Sequence, residues 1–158
     1  MADREPMTVE GYQRLKDEVK QLKTVERPKT SQEIETARAH GDLSENAEYH
    51  AAREKLSFIE GRIAEIESKL ALSEVIDPTT LAVEHVVFGA TVTLSDAESG
   101  EEMTYKIVGV DEADIKEGKI SYSSPVARAL IRKGVGDIAV VRTKRGEREY
   151  EIVKVDFV

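Results

Sequence analysis

Residues 40–49 read HGDLSENAEY, and they separate two long segments whose apolar residues recur at alternating spacings of three and four. Such spacing is typical of the a/d seam of a coiled coil. Gly41 allows a tight backbone bend just where the interruption begins. Two adjacent seams joined by a short turn pair antiparallel. The stretch therefore predicts a helical hairpin whose turn carries the carboxylates of Asp42, Glu45 and Glu48.

The first helical segment begins after Thr8, which is a suitable helix N-cap. Its seam residues are Tyr12, Leu15, Val19 and Leu22, followed out of phase by Ile34 and Ala37. Pro28 interrupts this seam, and a proline removes a backbone donor from a helix interior. We expect either a kink with a change of register or a short break with a new N-cap at Thr30 or Ser31.

The second helical segment has an unbroken seam with charged residues between its apolar positions. The seam residues are Tyr49, Ala52, Leu56, Ile59, Ile63, Ile66 and Leu70. At the rise of an α-helix, an arm of about thirty residues extends roughly 45 Å. A plain dimerising coiled coil is the alternative, but the turn at Gly41 favours pairing of the chain with itself.

Asp77-Pro78 ends the helical pattern, because the residue before a proline is pushed out of helical geometry. Beyond it, apolar residues recur at every second position, as in a β-strand. This predicts a helical domain at 1–78 and a sheet domain at 79–158. The expected strands are Val86–Phe88, Ala90–Leu94, Met103–Val110, Ile138–Thr143 and Tyr150–Val155, with turns at Ser99-Gly100 and Arg145-Gly146. One short helix is expected after Ser124 as N-cap, with Pro125 first and Gly134 at its end. The predicted fold class is α+β, a coiled-coil hairpin followed by a small antiparallel sheet with one helix.

Composition excludes several classes of protein. The chain has 158 residues, 34% charged and 5% aromatic, and its formal net charge of −8 disfavours autonomous binding to a nucleic-acid duplex. It contains no cysteine, so disulfide scaffolds and cysteine-ligated zinc are excluded. No apolar run is long enough for a membrane span, and the N-terminus lacks the apolar core of a signal peptide. We expect a cytoplasmic protein with no membrane partner.

The acidic turn has two interpretations. Asp42-Leu43-Ser44-Glu45 matches an acidic variant of the capping box, and sequence grammar alone favours this structural interpretation. In the functional interpretation, the side chains of Asp42 and Glu45 are neighbours about 5–6 Å apart at their roots. Two such carboxylates can share Mg²⁺, which takes one or two protein carboxylates and completes its shell with water or phosphate. A pair alone would hold the ion weakly, so a partner would have to add ligands.

Two arginines flank the turn, Arg38 one helical turn before it and Arg53 two turns after it. They are either solvated surface cations or a small basic patch for RNA phosphates. The three histidines lack ligand spacing, and the chain has no Gly-rich phosphate loop, HExxH motif or serine-histidine-acid order.

Three stretches, in this order along the chain, resemble the GreA/GreB family of bacterial transcript cleavage factors, and its GreA type in particular. They are ARAHGDLSENAEYHAARE at 37–54, VFGATV at 87–92 and SPVARALI at 124–131, the last followed by Gly136-Asp137. The resemblance covers nearly the whole chain. Departures are Ser44, where a lysine is common in the family, and Arg132, where a glycine is common.

The resemblance implies an antiparallel coiled coil followed by a domain of FKBP-like fold. It implies an auxiliary factor, not itself an enzyme, that binds RNA polymerase, enters its secondary channel and stimulates cleavage of backtracked nascent RNA. Asp42 and Glu45 match the family's two tip acids, which share Mg²⁺ with the polymerase, so the free protein is not expected to bind the ion tightly. Arg38 and Arg53 match its basic patch toward the RNA 3′ segment, and Ser124 and Pro125 match a polymerase-docking region.

Two other functions are compatible with the same architecture. One is a channel-binding regulatory paralogue that inhibits the polymerase without promoting cleavage, which the retained acid pair argues against. The other is a structural or chaperone-like coiled coil, for which the charge of the turn would have no effect. We expect the free protein to be a monomer.

Overall fold

The computed structural model describes residues 4–42, 46–81 and 83–158, and the chain forms two compact units. One, the hairpin unit, contains Tyr12–Ser73, and the other, the sheet unit, joins Arg4–Gly11 to Glu74–Val158. None of the helices in the described ranges has the length and apolarity needed to cross a membrane. The predicted boundary between residues 78 and 79 stays a prediction.

The predicted helical hairpin is present. Strand β1 (Glu5–Thr8) leads into α1 (Val9–Gln21), a π-helical turn (Leu22–Glu26) and α2 (Arg27–Arg38), and α3 (Ala47–Leu72) forms the returning arm. The buried seam positions in the hairpin are Leu15, Ala37, Ala52, Ile59, Ile63 and Ile66. Ion pairs join the arms in antiparallel order, Arg62 with Glu18 at 2.6 Å, Arg27 with Glu60 at 3.5 Å and Lys55 with Glu33 at 3.6 Å. The heptad pattern therefore predicted both the pairing and its direction.

The out-of-phase seam around Pro28 has a local cause. The turn at Leu22–Glu26 is π-helical, with i→i+5 hydrogen bonds, and this wider turn shifts the phase of the seam residues that follow it. Helix α2 then begins at Arg27 with Pro28 in its first turn, where a missing N–H is tolerated. The expected change of register is confirmed. The alternative of a break with a new cap at Thr30 or Ser31 is wrong, since Thr30 is fully buried within α2.

The sheet unit contains a five-stranded sheet in the order β5-β4-β3-β7-β6. Its strands are β3 (Thr91–Asp96), β4 (Glu102–Val108), β5 (Lys119–Ser121), β6 (Ile138–Thr143) and β7 (Gly146–Asp156). All neighbours pair antiparallel except β4 and β5, which are parallel. The core lies between the sheet and helix α4 (Pro125–Leu130), and its buried residues are Val86, Ala90, Val92, Leu94, Ile107, Ile120, Ala127, Leu130, Ala139 and Ile152. The predicted α+β class is confirmed.

Three short strands were not predicted from the sequence. They are β1, β2 (Ser73–Ile76) and β5, and strands of three or four residues are too short to show a clear alternation. Conversely, the strand expected at Val86–Phe88 is absent. The backbone of Val86 instead bonds to the segment after α4: its N–H donates to Lys133 O and its carbonyl accepts from Arg132 N, both at 2.8 Å.

Helix α4 begins as predicted and ends early. Ser124 is its N-cap, with its Oγ accepting from Ala127 N at 3.2 Å, and Pro125 is its first residue. The helix ends at Leu130, and Arg132 follows in the left-handed conformation with φ of 78°. The prediction that Gly134 ends the helix is wrong, because Arg132 makes the turn that glycine usually makes after a helix.

A buried carboxylate holds β1 to the body of the sheet unit. Glu112 is 8% exposed, and its Oε2 accepts from Thr8 N at 3.1 Å and Gly109 N at 2.9 Å. Its Oε1 accepts from the Thr8 hydroxyl, while Thr8 Oγ1 accepts from Gly11 N at 3.1 Å and so caps α1 as predicted. A Cβ at Gly11 would clash with the Glu112 carboxylate, so a side chain at this position would displace that carboxylate.

We predict that Glu112→Ala lowers the free energy of unfolding by about 3 kcal/mol, because it leaves two buried amides without an acceptor. Glu112→Gln, which retains one acceptor oxygen, should cost about 1 kcal/mol. Urea unfolding followed by circular dichroism measures both, with Glu101→Ala as an exposed control. Equal stability of Glu112→Ala and the control would contradict the role of Glu112 as the acceptor for these two amides.

Candidate functional site

The hairpin turn is built by tight backbone bonds at the end of α2. His40 N donates to Ala37 O at 3.1 Å and Gly41 N donates to Arg38 O at 3.3 Å, which tightens the last turn of the helix. Gly41 then adopts φ of 108°, a conformation that L side chains rarely take. The predicted role of Gly41 as the bend before the acids is confirmed.

Asn46 closes the turn from the other side. Its Nδ2 donates to Ala37 O at 2.6 Å, and its Oδ1 accepts from Tyr49 N at 3.1 Å. One side chain therefore joins the end of α2 to the beginning of α3 and also satisfies a free amide of the first turn of α3. Because Ala37 is itself a buried seam residue, this bond ties the turn to the packed part of the hairpin.

The N-cap of α3 is Asn46, so Asp42 does not begin this helix, and the other residues of the expected capping box lie outside the described residues. The spacing of Asp42 and Glu45 matched the capping-box pattern, and a better N-cap signal was therefore overlooked in the sequence. That signal was an asparagine, a strong N-cap residue, immediately before Ala47 and Glu48. Glu45, with Leu43 and Ser44, lies outside the described residues.

Asp42 directly follows the Gly41 bend and its side chain is exposed. Glu48 is exposed in the first turn of α3, where negative charge suits the helix dipole, and its Oε2 lies 3.5 Å from His40 Nδ1. Within residues 4–42, 46–81 and 83–158, no group of three or more His, Cys, Asp or Glu side chains is placed to hold a metal ion.

The two predicted arginines are both exposed on the hairpin near its turn. Arg38 is the last residue of α2. Arg53 lies on α3 with its guanidinium 5.7 Å from the centre of the Tyr49 ring, and its Nη1 donates to the Tyr49 hydroxyl at 3.4 Å. This cation–π contact restricts the arginine while leaving its charge in solvent.

The predicted docking residues belong to the sheet unit. Ser124 is half-buried because it caps α4, and Pro125 beside it is exposed. Just before them, the hydroxyl of Tyr122 donates to Glu5 Oε2 at 2.5 Å, and this bond raises the pKa of Tyr122 above its ordinary value. The start of α4 is thereby fixed against strand β1.

Comparisons with known proteins agree over nearly the whole chain. Residues 5–75 match the family described as "Transcription elongation factor, N-terminal", and residues 81–157 match "Transcription elongation factor, GreA/GreB, C-term". The chain is 64% identical over 155 residues to the transcription elongation factor GreA of Anaeromyxobacter sp. (strain K), covering 98% of this chain and 93% of that protein. It is 58% identical over 153 residues to GreA of Alkalilimnicola ehrlichii, covering 96% and 97%.

Among solved structures, the GreA factor homolog 1 of Thermus thermophilus is 26% identical and covers 96% of this chain and 98% of its own, with a TM-score of 0.44. The chain belongs to the GreA/GreB family of transcription elongation factors.

Proposed function

We propose that the protein enters RNA polymerase through its secondary channel and stimulates the polymerase's own hydrolysis of backtracked nascent RNA. The observation that carries this proposal is the exposed carboxylate of Asp42, placed directly after the Gly41 bend at the turn of a long hairpin. Asn46 fastens that turn to both helices. A carboxylate held this way can be delivered into a channel too narrow for a whole domain.

The reach of the hairpin follows from its helix lengths. Helix α3 has 26 residues, which corresponds to about 39 Å at the rise of an α-helix. The arms are held in one register by the buried seam and by the bidentate pair in which Arg62 donates to both carboxylate oxygens of Glu18. A stiff arm of this kind carries its turn to a fixed depth.

The donor set at the turn fits magnesium, since carboxylate oxygens are the hard ligands this ion prefers. We propose that Asp42 and Glu45 hold Mg²⁺ jointly with the polymerase, and that the free protein holds it weakly. A second divalent ion bound there would supply a nucleophilic water and would stabilise the leaving oxygen. The contribution of this chain is to hold two carboxylates at the end of the rod.

Arg38 and Arg53 flank the acids on the exposed surface of the hairpin, so their charges are available to phosphates of the RNA 3′ segment. Ser124 and Pro125 are proposed to lie in the surface that docks on the polymerase. We further propose that the protein acts in the cytoplasm, as a monomer when free, and supplies no hydrolytic activity of its own.

We predict that Asp42→Asn and Glu45→Gln each lower the rate of stimulated transcript cleavage at least tenfold, a loss of about 1.4 kcal/mol in barrier lowering. Both changes keep side-chain volume and remove charge, so polymerase affinity should be unchanged. Glu48→Gln, an exposed acid in the same turn region, is the matched control and should keep full activity. Wild-type cleavage rates in the Asp42 and Glu45 variants at saturating concentration would exclude the proposed metal-holding role. A wild-type protein that binds and only inhibits would identify the regulatory alternative.

The bridge made by Asn46 should matter for activity as well as for stability. Asn46→Ala loses the cap of α3 and should cost about 1 kcal/mol. Asn46→Ser keeps a good N-cap but cannot reach Ala37 O, so we expect near wild-type stability with a several-fold slower cleavage. Thermal unfolding and cleavage assays separate the two effects, and undiminished cleavage by Asn46→Ser would show that the bridge does not position the acids.

For the arginines, we predict that Arg38→Ala combined with Arg53→Ala slows cleavage without abolishing it, because the carboxylates remain. The salt dependence of RNA engagement should flatten, since each lost phosphate contact reduces the slope. Lys29→Ala, which removes another exposed cation from α2, should have no such effect. Gels of the released RNA should show short fragments for the wild type. An unchanged rate and salt response in the double variant, or mainly long fragments, would contradict this account.

A further inference from the structure

Three cations lie within six residues at the end of α4, and we call them the α4-end cations: Arg128, Arg132 and Lys133. Arg128 and Arg132 are exposed and Lys133 is half-buried. Among the described residues, no side-chain hydrogen bond or ion pair is found for any of the three. Other cations of the same sheet unit do pair with acids, as Arg142 does with Glu147 at 2.8 Å. In a chain of net charge −8, this group stands out.

A structural explanation accounts for part of this pattern. Cations near a helix C-terminus are favoured by the helix dipole, which suits Arg128 in the last turn of α4. It does not account for Arg132, because a non-glycine residue in the left-handed conformation is strained. Arg132 is the one described non-glycine residue with positive φ. Glycine would make the same turn without strain.

The backbone at this point is fixed by the fold. Arg132 N donates to Val86 O and Val86 N donates to Lys133 O, both at 2.8 Å, and Val86 is fully buried. The next residue, Gly134, forms a bridge with His85. The conformation is therefore imposed by the core whatever side chain is present. The side chain of Arg132 is exposed, and a contact that it makes need not order the backbone, which the fold already fixes.

We propose that the α4-end cations form a docking surface for an acidic protein segment of RNA polymerase, with Arg132 as its rigid anchor. The inference rests on the proposed function and names the chemistry of the docking partner. It is continuous with Ser124 and Pro125, which lie at the other end of the same short helix. Arginine suits this role because its planar guanidinium binds carboxylates in a bidentate manner. A protein partner is favoured over a phosphate backbone because this surface adjoins the proposed docking residues Ser124 and Pro125, whereas the arginines proposed to face RNA belong to the hairpin unit.

The decisive variant is Arg132→Gly, because its effects on stability and on binding should have opposite signs. Removing the strain should raise the thermal midpoint by a few degrees. Removing the cation should weaken affinity for core RNA polymerase about tenfold, with a smaller loss at high salt because charge pairs are screened. Arg132→Lys keeps the charge and the strain, and should lose about threefold. Arg145→Gly, which removes an exposed cation from the β6–β7 turn, should leave affinity unchanged.

Affinity is measured by equilibrium titration of labelled full-length protein with polymerase, and separately with a single-stranded RNA oligonucleotide. Unchanged polymerase affinity of Arg132→Gly, or an equal loss in Arg145→Gly, would overturn the proposal. If Arg132→Gly lost RNA binding and kept its polymerase affinity, the ligand of this surface would be a nucleic acid and not an acidic protein segment. A lower thermal midpoint in Arg132→Gly would contradict the strain argument. A wild type that binds polymerase without stimulating cleavage would refute the proposed function but leave the docking result readable.

Discussion

The hydrogen bonds of Asn46 are the constraint on which the hairpin turn depends. Its amide group binds the carbonyl of Ala37 at 2.6 Å and its oxygen caps α3 at Tyr49 N. Without this bridge, the bend at Gly41 would be the remaining described constraint between the end of α2 and the start of α3. The bridge connects the turn to the buried seam that runs through Ala37, Ala52 and Ile59. Asp42 therefore belongs to a turn that is tied to the packed part of the hairpin.

In the proposed function, the hairpin unit and the sheet unit have different roles. The hairpin unit supplies reach and charge, and its acids alone are too few to form a tight magnesium site. The sheet unit has its own core, and two sets of hydrogen bonds fix its backbone. Glu112 accepts from β1, and Val86 bonds to the backbone of Arg132 and Lys133. Under the proposed function, this chain contributes positioning, and the polymerase contributes the remaining metal ligands and the RNA.

Sequence reasoning captured the features that depend on long regular patterns. The seam of α3 and the strand at Ile138–Thr143 were predicted because periodicity over many residues leaves few alternatives. Features that depend on a single tertiary contact were missed. Asn46 was overlooked beside a matching capping-box pattern, β5 is set by its pairing with β4, and the left-handed Arg132 is imposed by bonds to Val86. The chemical role proposed for the acids comes from the family resemblance, because the sequence pattern alone favours capping.

The most direct test of the central claim uses a bacterial elongation complex that has been walked to a backtracked position with RNA labelled at its 3′ end. The protein is added to this complex, and in a parallel reaction to the same RNA without polymerase. The account predicts rapid release of short labelled fragments and resumed elongation in the first reaction, and no cleavage in the second. No acceleration of fragment release from the complex, or cleavage of the free RNA, would contradict the claim that this protein stimulates the polymerase's own hydrolysis.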